Sequence, residues 1–260
     1  MIGIFDSGVG GMTVARAVET LLPSSQIIYY GDLARTPYGN KSHEAIIEYS
    51  ISNTEFLLDR GARVIIIACN SAASVASDTL RKKFSVPIFE VVTPAVARAV
   101  TATASGNIGI IGTRATIRSG IYEKKIKELS PAYRVFSKSC PLLVPLVEEG
   151  WTDSRETKMI LRKYLAPLKQ KQIDTLVLGC THYPLLKDLI QHRMGKNRVQ
   201  LIDSSIEVAL LLQKYLSENS ELHEKIELGR GNNYFVSDMT KAAQATAAKI
   251  FGRHINLQKV

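Results

Sequence analysis

Short apolar runs alternate with amphipathic stretches along nearly the whole 260-residue chain. The runs at 2–5, 26–30, 63–68, 86–91, 107–111, 133–136, 174–179, 199–202 and 233–236 are rich in Val, Ile and Leu, with little polar alternation. That pattern suits strands buried on both faces. Between them, 10–22, 42–60, 71–84, 115–129, 153–170 and 204–218 read as amphipathic helices. Strand–helix alternation of this kind predicts an α/β fold of mostly parallel sheets flanked by helices.

The order of elements repeats. Ile2-Gly3-Ile4-Phe5-Asp6-Ser7-Gly8 is echoed by Ile108-Gly109-Ile110-Ile111-Gly112-Thr113-Arg114, and Val64-Ile65-Ile66-Ile67-Ala68-Cys69-Asn70 by Thr175-Leu176-Val177-Leu178-Gly179-Cys180-Thr181. A weaker echo links Val86-Pro87-Ile88-Phe89-Glu90 to Val199-Gln200-Leu201-Ile202-Asp203, and all the offsets lie between 106 and 113 residues. Apolar strands match by chance in any α/β protein. A cysteine followed by a small polar residue at the same place in both halves is harder to obtain that way. Two similar lobes are therefore expected, related by a pseudo-twofold axis, with the active site in the cleft between them. Crossovers near Thr93-Pro94 and Asp203-Ser204-Ser205 assign 1–94 plus 207–260 to the first lobe and 95–206 to the second.

Composition narrows the class. With 45% apolar and 22% charged residues, the chain resembles an ordinary soluble protein. Met1 meets Asp6 too soon for a signal peptide, and the most apolar run, Val64 to Cys69, is too short to span a bilayer. A cytoplasmic location with no membrane partner is expected. The net charge of +9 favours anionic ligands. Its densest basic tracts, Arg81-Lys82-Lys83 and Lys124-Lys125-Ile126-Lys127, are short and helical, so nucleic acid is not indicated.

Cys69, Cys140 and Cys180 are odd in number and far apart, which argues for free thiols over a disulfide framework. Any one of them alone reads most simply as buried core. Cys69 and Cys180 differ as a pair, since each directly follows a strand. Ligands of parallel sheets bind beyond the carboxyl ends of strands, so both thiols belong at that edge and face one ligand from opposite sides. A free thiol titrates near about 8.5, and a helix N-terminus favours its thiolate. One thiolate and one thiol across a carbon form a base and an acid. The base takes the α-proton from one face, the acid returns a proton to the other, and exchanged protonation states run the reaction backwards.

Polar residues cluster at the same edge. Asp6-Ser7 ends the first strand and His182 lies two residues beyond Cys180, placing a carboxylate and an imidazole where they can tune protons. A purely structural histidine is an equal reading of His182. Asn70, Ser71, Thr113, Thr116 and Thr181 offer neutral donors able to hold both carboxylates of an acidic amino acid without quenching the thiols. For each threonine a helix cap is an equal reading. In the loop Asp32-Leu33-Ala34-Arg35-Thr36-Pro37-Tyr38-Gly39, Pro37 and Gly39 mark a turn and Tyr38 is placed to wall the cleft.

Two other classes compete. Gly8-Val9-Gly10, with Asp32 ending the next strand, resembles part of a dinucleotide-binding fingerprint, but Thr13 holds the third glycine position and Asp6 would repel a pyrophosphate. A thiol-based metal or redox protein would use Cys69, Cys180, His182 and Cys140, yet no C-x-x-C pair or zinc spacing is present.

Over residues 1–205 the chain resembles the glutamate racemases of the aspartate/glutamate racemase superfamily. The resemblance rests on Asp6-Ser7-Gly8-Val9-Gly10-Gly11, Pro37-Tyr38-Gly39, Ala68-Cys69-Asn70-Ser71-Ala72, Gly112-Thr113 through Thr116, Pro145-Leu146-Val147-Glu148 and Leu178-Gly179-Cys180-Thr181-His182-Tyr183-Pro184. It implies that Cys69 and Cys180 are the catalytic pair and that Asp6, Ser7, Tyr38, Gly39, Asn70, Ser71, Thr181 and His182 contact substrate. Thr113, Thr116 and Glu148 are implied as second-rank members of the site. It further implies a bacterial enzyme that needs no cofactor or metal and supplies D-glutamate for peptidoglycan. A homodimer is one admissible assembly. The family usually carries threonine where this chain has Ser71, which keeps the hydroxyl and lacks the methyl. Aspartate or another amino acid as substrate is the nearest alternative.

Overall fold

The computed structural model describes residues 1–227 and 231–260. Among them ten strands form two sheets: β1 (Ile2–Asp6), β2 (Ile27–Gly31), β3 (Val64–Ile67), β4 (Ile88–Glu90), β5 (Asn107–Gly112), β6 (Arg134–Ser139), β7 (Thr175–Gly179), β8 (Gln200–Asp203), β9 (Asn233–Val236) and β10 (Leu257–Lys259). Their orders are β10-β9-β2-β1-β3-β4 and β6-β5-β7-β8. Every pairing is parallel. Helices cover the faces, which is why β1, β3 and β7 are buried at every position and lack polar alternation.

The repeat is structural as well as sequential. The order β2-β1-β3-β4 in one sheet is matched by β6-β5-β7-β8 in the other. Register agrees too. Ile2 pairs with Val64, and their echoes Ile108 and Thr175 pair with each other. Ile65 pairs with Ile88, as Leu176 does with Leu201. The last two strands, β9 and β10, extend only the first sheet.

One apolar core runs from the first sheet to one face of the second, which Ile108, Ile110, Val177 and Ile202 supply. The alternate residues Ile111, Leu176 and Leu178 point the other way, as a two-residue period requires. They pack beneath the helices Leu143–Glu148, Arg155–Gln170 and Lys187–Met194.

Several expected elements differ in detail. The single helix expected over 115–129 is two, Arg114–Arg118 and Ile121–Leu129, because the chain turns at Gly120 with φ of +66°. The expected crossover at Thr93-Pro94 lies inside the helix Val92–Ala102. The buried Glu90 carboxylate accepts from the backbone N–H of Thr93 at 3.0 Å, and Pro94 falls in the first turn, where no N–H is needed. The helix Lys241–Phe251 and β10 were not among the expected elements. No helix of the described residues is long and apolar enough to cross a membrane.

Candidate active site

Strand ends from both sheets converge on one cavity. Ser7 follows β1, Thr113 follows β5, and Cys180 follows β7; Cys69 lies two residues past β3 and caps the helix Asn70–Lys83. All four line the same narrow space, with room of about 20 Å³. Both cysteines are 5% exposed, so their thiols are largely shielded from bulk water. A wider groove of about 410 Å³, bordered by Thr13, Arg16, Leu185 and Asp203, contains neither of them.

The two thiols have different neighbours. Cys69 donates from Sγ to Ser7 Oγ at 3.6 Å. Burial, and then the Asp6 carboxylate, push its pKa up to about 12 against weaker opposition from the Ala72 and Ser7 donors. Across the cavity, Cys180 Sγ lies 3.9 Å from His182 Nδ1, and His182 Nε2 meets Glu148 Oε1 at 3.1 Å. Burial disfavours a charged His182, but its bonds to Cys180 and Glu148 outweigh burial and raise the imidazole pKa to about 10. A cation therefore faces one sulfur, a carboxylate the other.

Asp6 stands behind this wall. It is fully buried, accepts from Gly8 N at 3.0 Å and from Thr181 Oγ1 at 3.3 Å, and so ties the first lobe to the second. Burial raises its pKa, partly offset by the charge of His182 and the N–H groups of Gly11 and Gly8. The glycine run beside it serves packing. A Cβ on Gly10 would lie 2.5 Å from His182 Cε1, and one on Gly11 would lie 2.8 Å from Asp6 Cγ. Where a dinucleotide would need open glycine backbone for its pyrophosphate, these two positions are filled by the site's own imidazole and carboxylate.

Hydroxyls bridge the lobes elsewhere. Ser71 Oγ and Thr113 Oγ1 are 2.8 Å apart, and Thr113 Oγ1 is 3.0 Å from Thr116 Oγ1. Thr113 also caps its helix by accepting from Thr116 N at 3.2 Å, as the cap reading expects. Gly39 backs onto Thr113, where a Cβ would approach Thr113 Cβ to 2.8 Å. Tyr38 forms part of the wall but turns its hydroxyl away, donating to Asp32 and accepting from Asn53 Nδ2 at 3.0 Å.

Ser7, Tyr38, Gly39, Cys69, Asn70, Ser71, Thr113, Cys180, Thr181 and His182 line the cavity; Asp6, Thr116 and Glu148 do not. The first two lie behind lining residues, and Glu148 stands on the outer side of His182. None of the described lining residues is Lys or Arg, so the excess basic charge resides elsewhere. Neutral donors with one imidazolium can bind an acidic molecule there while leaving two thiols free to exchange protons with it. Cys140 stays out of the cavity, with Sγ 3.6 Å from the Lys138 carbonyl and burial pushing its thiol up to about 12, as for an inert core cysteine. Among the described residues no group of three or more His, Cys, Asp or Glu could hold a metal ion.

The sequence pattern of the Asp/Glu/Hydantoin racemase family matches residues 12–211. The chain belongs to that family. Within it, a glutamate racemase from Persephonella marina is 44% identical over 260 residues, covering 100% of this chain and 96% of its own. A glutamate racemase isoform from Bacillus anthracis superposes with a TM-score of 0.93 at 34% identity, covering 100% of this chain and 97% of its own. One from Francisella tularensis, crystallised in complex with D-glutamate, gives 0.91 at 32% identity over 100% and 96% of the two chains. The two-sheet architecture is thus that of the racemase family.

Thr36, Pro37 and Val144 also line the cavity, although sequence reasoning gave none of them a part in the chemistry. Thr36 and Pro37 belong to the loop already singled out. Val144 immediately precedes the Pro145-Leu146-Val147-Glu148 motif, which was the available signal for it.

Proposed function

We propose that this protein interconverts L- and D-glutamate by proton transfer at the α-carbon, with Cys69 and Cys180 acting from opposite faces. One observation carries the reading: two buried thiols from equivalent strand ends border a single cavity. The 44–45% identity to glutamate racemases over nearly the whole chain selects the substrate.

Ser7, Asn70, Ser71, Thr113 and Thr181 hold the two carboxylates. The Cys69 thiol, protonated at neutral pH because of its burial and Asp6, is the proton donor of one half-reaction. His182, braced by Glu148, stabilises the negative charge that Cys180 carries when it withdraws a proton. In the opposite direction the roles exchange. Tyr38 and Gly39 close one wall, Thr116 supports Thr113, and Asp6 fixes Thr181.

The lobes that close on the substrate are read as 1–94 with 207–260, and 95–206. This division is supported by β9 joining the first sheet and by the helix Val92–Ala102 packing against β7 and β8. The D-glutamate formed is assigned to peptidoglycan synthesis in a bacterial cytoplasm, in line with the bacterial relatives. A homodimer is the proposed assembly, supported by the exposed Ile206, Leu210 and Leu211 on one helix. Incubation with L-glutamate and with L-aspartate separately, followed by chiral analysis, tests the reading. D-Glutamate is expected from the first; its absence overturns the assignment.

A further inference from the structure

Asn70 opens the helix Asn70–Lys83 beside Cys69, lines the cavity and is 2% exposed. Its two amide ends are treated differently. Oδ1 accepts from Tyr122 Oη at 2.6 Å, whereas Nδ2 is buried with no hydrogen-bond partner. An unpaired buried donor is costly, so natural proteins keep few of them without a reason. A carboxamide is planar, so anchoring the oxygen on one side aims the nitrogen away from that anchor. Tyr122 lies in the helix Ile121–Leu129, 52 residues along the chain from Asn70. The ring packs beside Gly179, where a Cβ would come within 3.4 Å of Tyr122 Cε2, next to Cys180.

We propose that Tyr122 is a positioning residue, whose hydroxyl locks the Asn70 carboxamide so that Nδ2 is held toward the cavity as a donor for a substrate carboxylate. This deepens the glutamate reading and rests on it for the identity of the acceptor. Burial keeps the Tyr122 phenol protonated far into the alkaline range, so the hydroxyl remains a donor at any working pH. Without it the amide is free to turn over and present Oδ1, a lone-pair acceptor that repels a carboxylate.

Tyr122→Phe keeps the ring and removes the hydrogen bond. It should lower kcat/KM about tenfold in both directions, the size expected when one polar partner is lost. Packing damage could do the same, so Asn70→Ala and the double variant complete a cycle. If Tyr122 acts through Asn70, Tyr122→Phe changes kcat/KM by less than about twofold once Asn70 is alanine; losses that multiply overturn the proposal. A second readout does not require turnover. The Asn70 side-chain amide resonances, identified by their disappearance in Asn70→Ala, should shift in Tyr122→Phe; unchanged resonances also overturn it. Absence of D-glutamate formation by the wild type would defeat the glutamate reading alone, and the resonances would still decide the role of Tyr122.

Discussion

The His182 ring occupies the space that a side chain on Gly10 would need: a Cβ there would lie 2.5 Å from His182 Cε1 and 2.7 Å from Thr181 Oγ1. The first lobe thus seats the imidazole of the second by having nothing in its way. Gly10→Ala should displace the ring from Cys180 and Glu148. Displacement of a catalytic group by about 1 Å costs on the order of 10²-fold in rate. Steady-state kinetics in both directions should show a loss of that size with an unchanged far-ultraviolet circular dichroism spectrum. Full activity would show that His182 has slack to move.

Either cysteine removed should stop net racemisation. Loss of one positioned acid or base costs about 10²–10⁴-fold, and Cys69→Ala or Cys180→Ala should fall by at least that much. In heavy water the wild type should place deuterium at the α-carbon of the product. Retention of the original hydrogen in product would rule out exchange through thiols.

The pH dependence follows from His182. Its folded pKa is raised from 6.5 to about 10, so in the folded protein the imidazolium persists through neutral pH and is lost as pH rises through about 10. As that charge is lost, kcat/KM should decline equally in both directions. Glu148→Gln removes a carboxylate 3.1 Å from the ring and should bring the alkaline limb down by about one unit or more. Rate–pH profiles of both proteins check this, and a limb that does not move would mean that Glu148 only orients the ring.

Asp32 is the residue that most resembles a ribose-binding carboxylate in sequence, yet it is fully buried and serves the loop instead. It accepts from the Tyr38 hydroxyl, from Ser237 Oγ at 3.1 Å and from Arg35 Nε at 3.2 Å. Asp32→Ala leaves these donors unmatched. We expect a loss of about 3 kcal/mol in urea unfolding, with a higher KM because Thr36, Pro37, Tyr38 and Gly39 border the cavity.

Much of this arrangement is legible in the sequence. The cysteines were legible because each ends an uninterrupted apolar run, and such a run in a covered parallel sheet terminates at the ligand edge. Less legible was depth. Asp6 and Ser7 are neighbours in the chain, but successive residues at a strand end point in opposite directions, so one backs the site and the other lines it. Tyr122 carries no such mark in the sequence, because its partner is 52 residues away and nothing local signals the contact. The helix Val92–Ala102 was hidden by Pro94, which reads as a break until Glu90 is seen capping the turn before it.

The unlike surroundings of the two sulfurs have a kinetic corollary. Mirror-image amino acids have equal free energy in water, so whatever the protein does, kcat/KM must be the same from either side. A thiol beside Ser7 and Asp6 and another beside His182 and Glu148 cannot be expected to shed and accept hydrogen with equal ease. Any enantiomer that turns over faster must therefore be held more loosely, in the same ratio, and the lopsidedness of the pocket will surface as paired inequalities in kcat and KM that cancel.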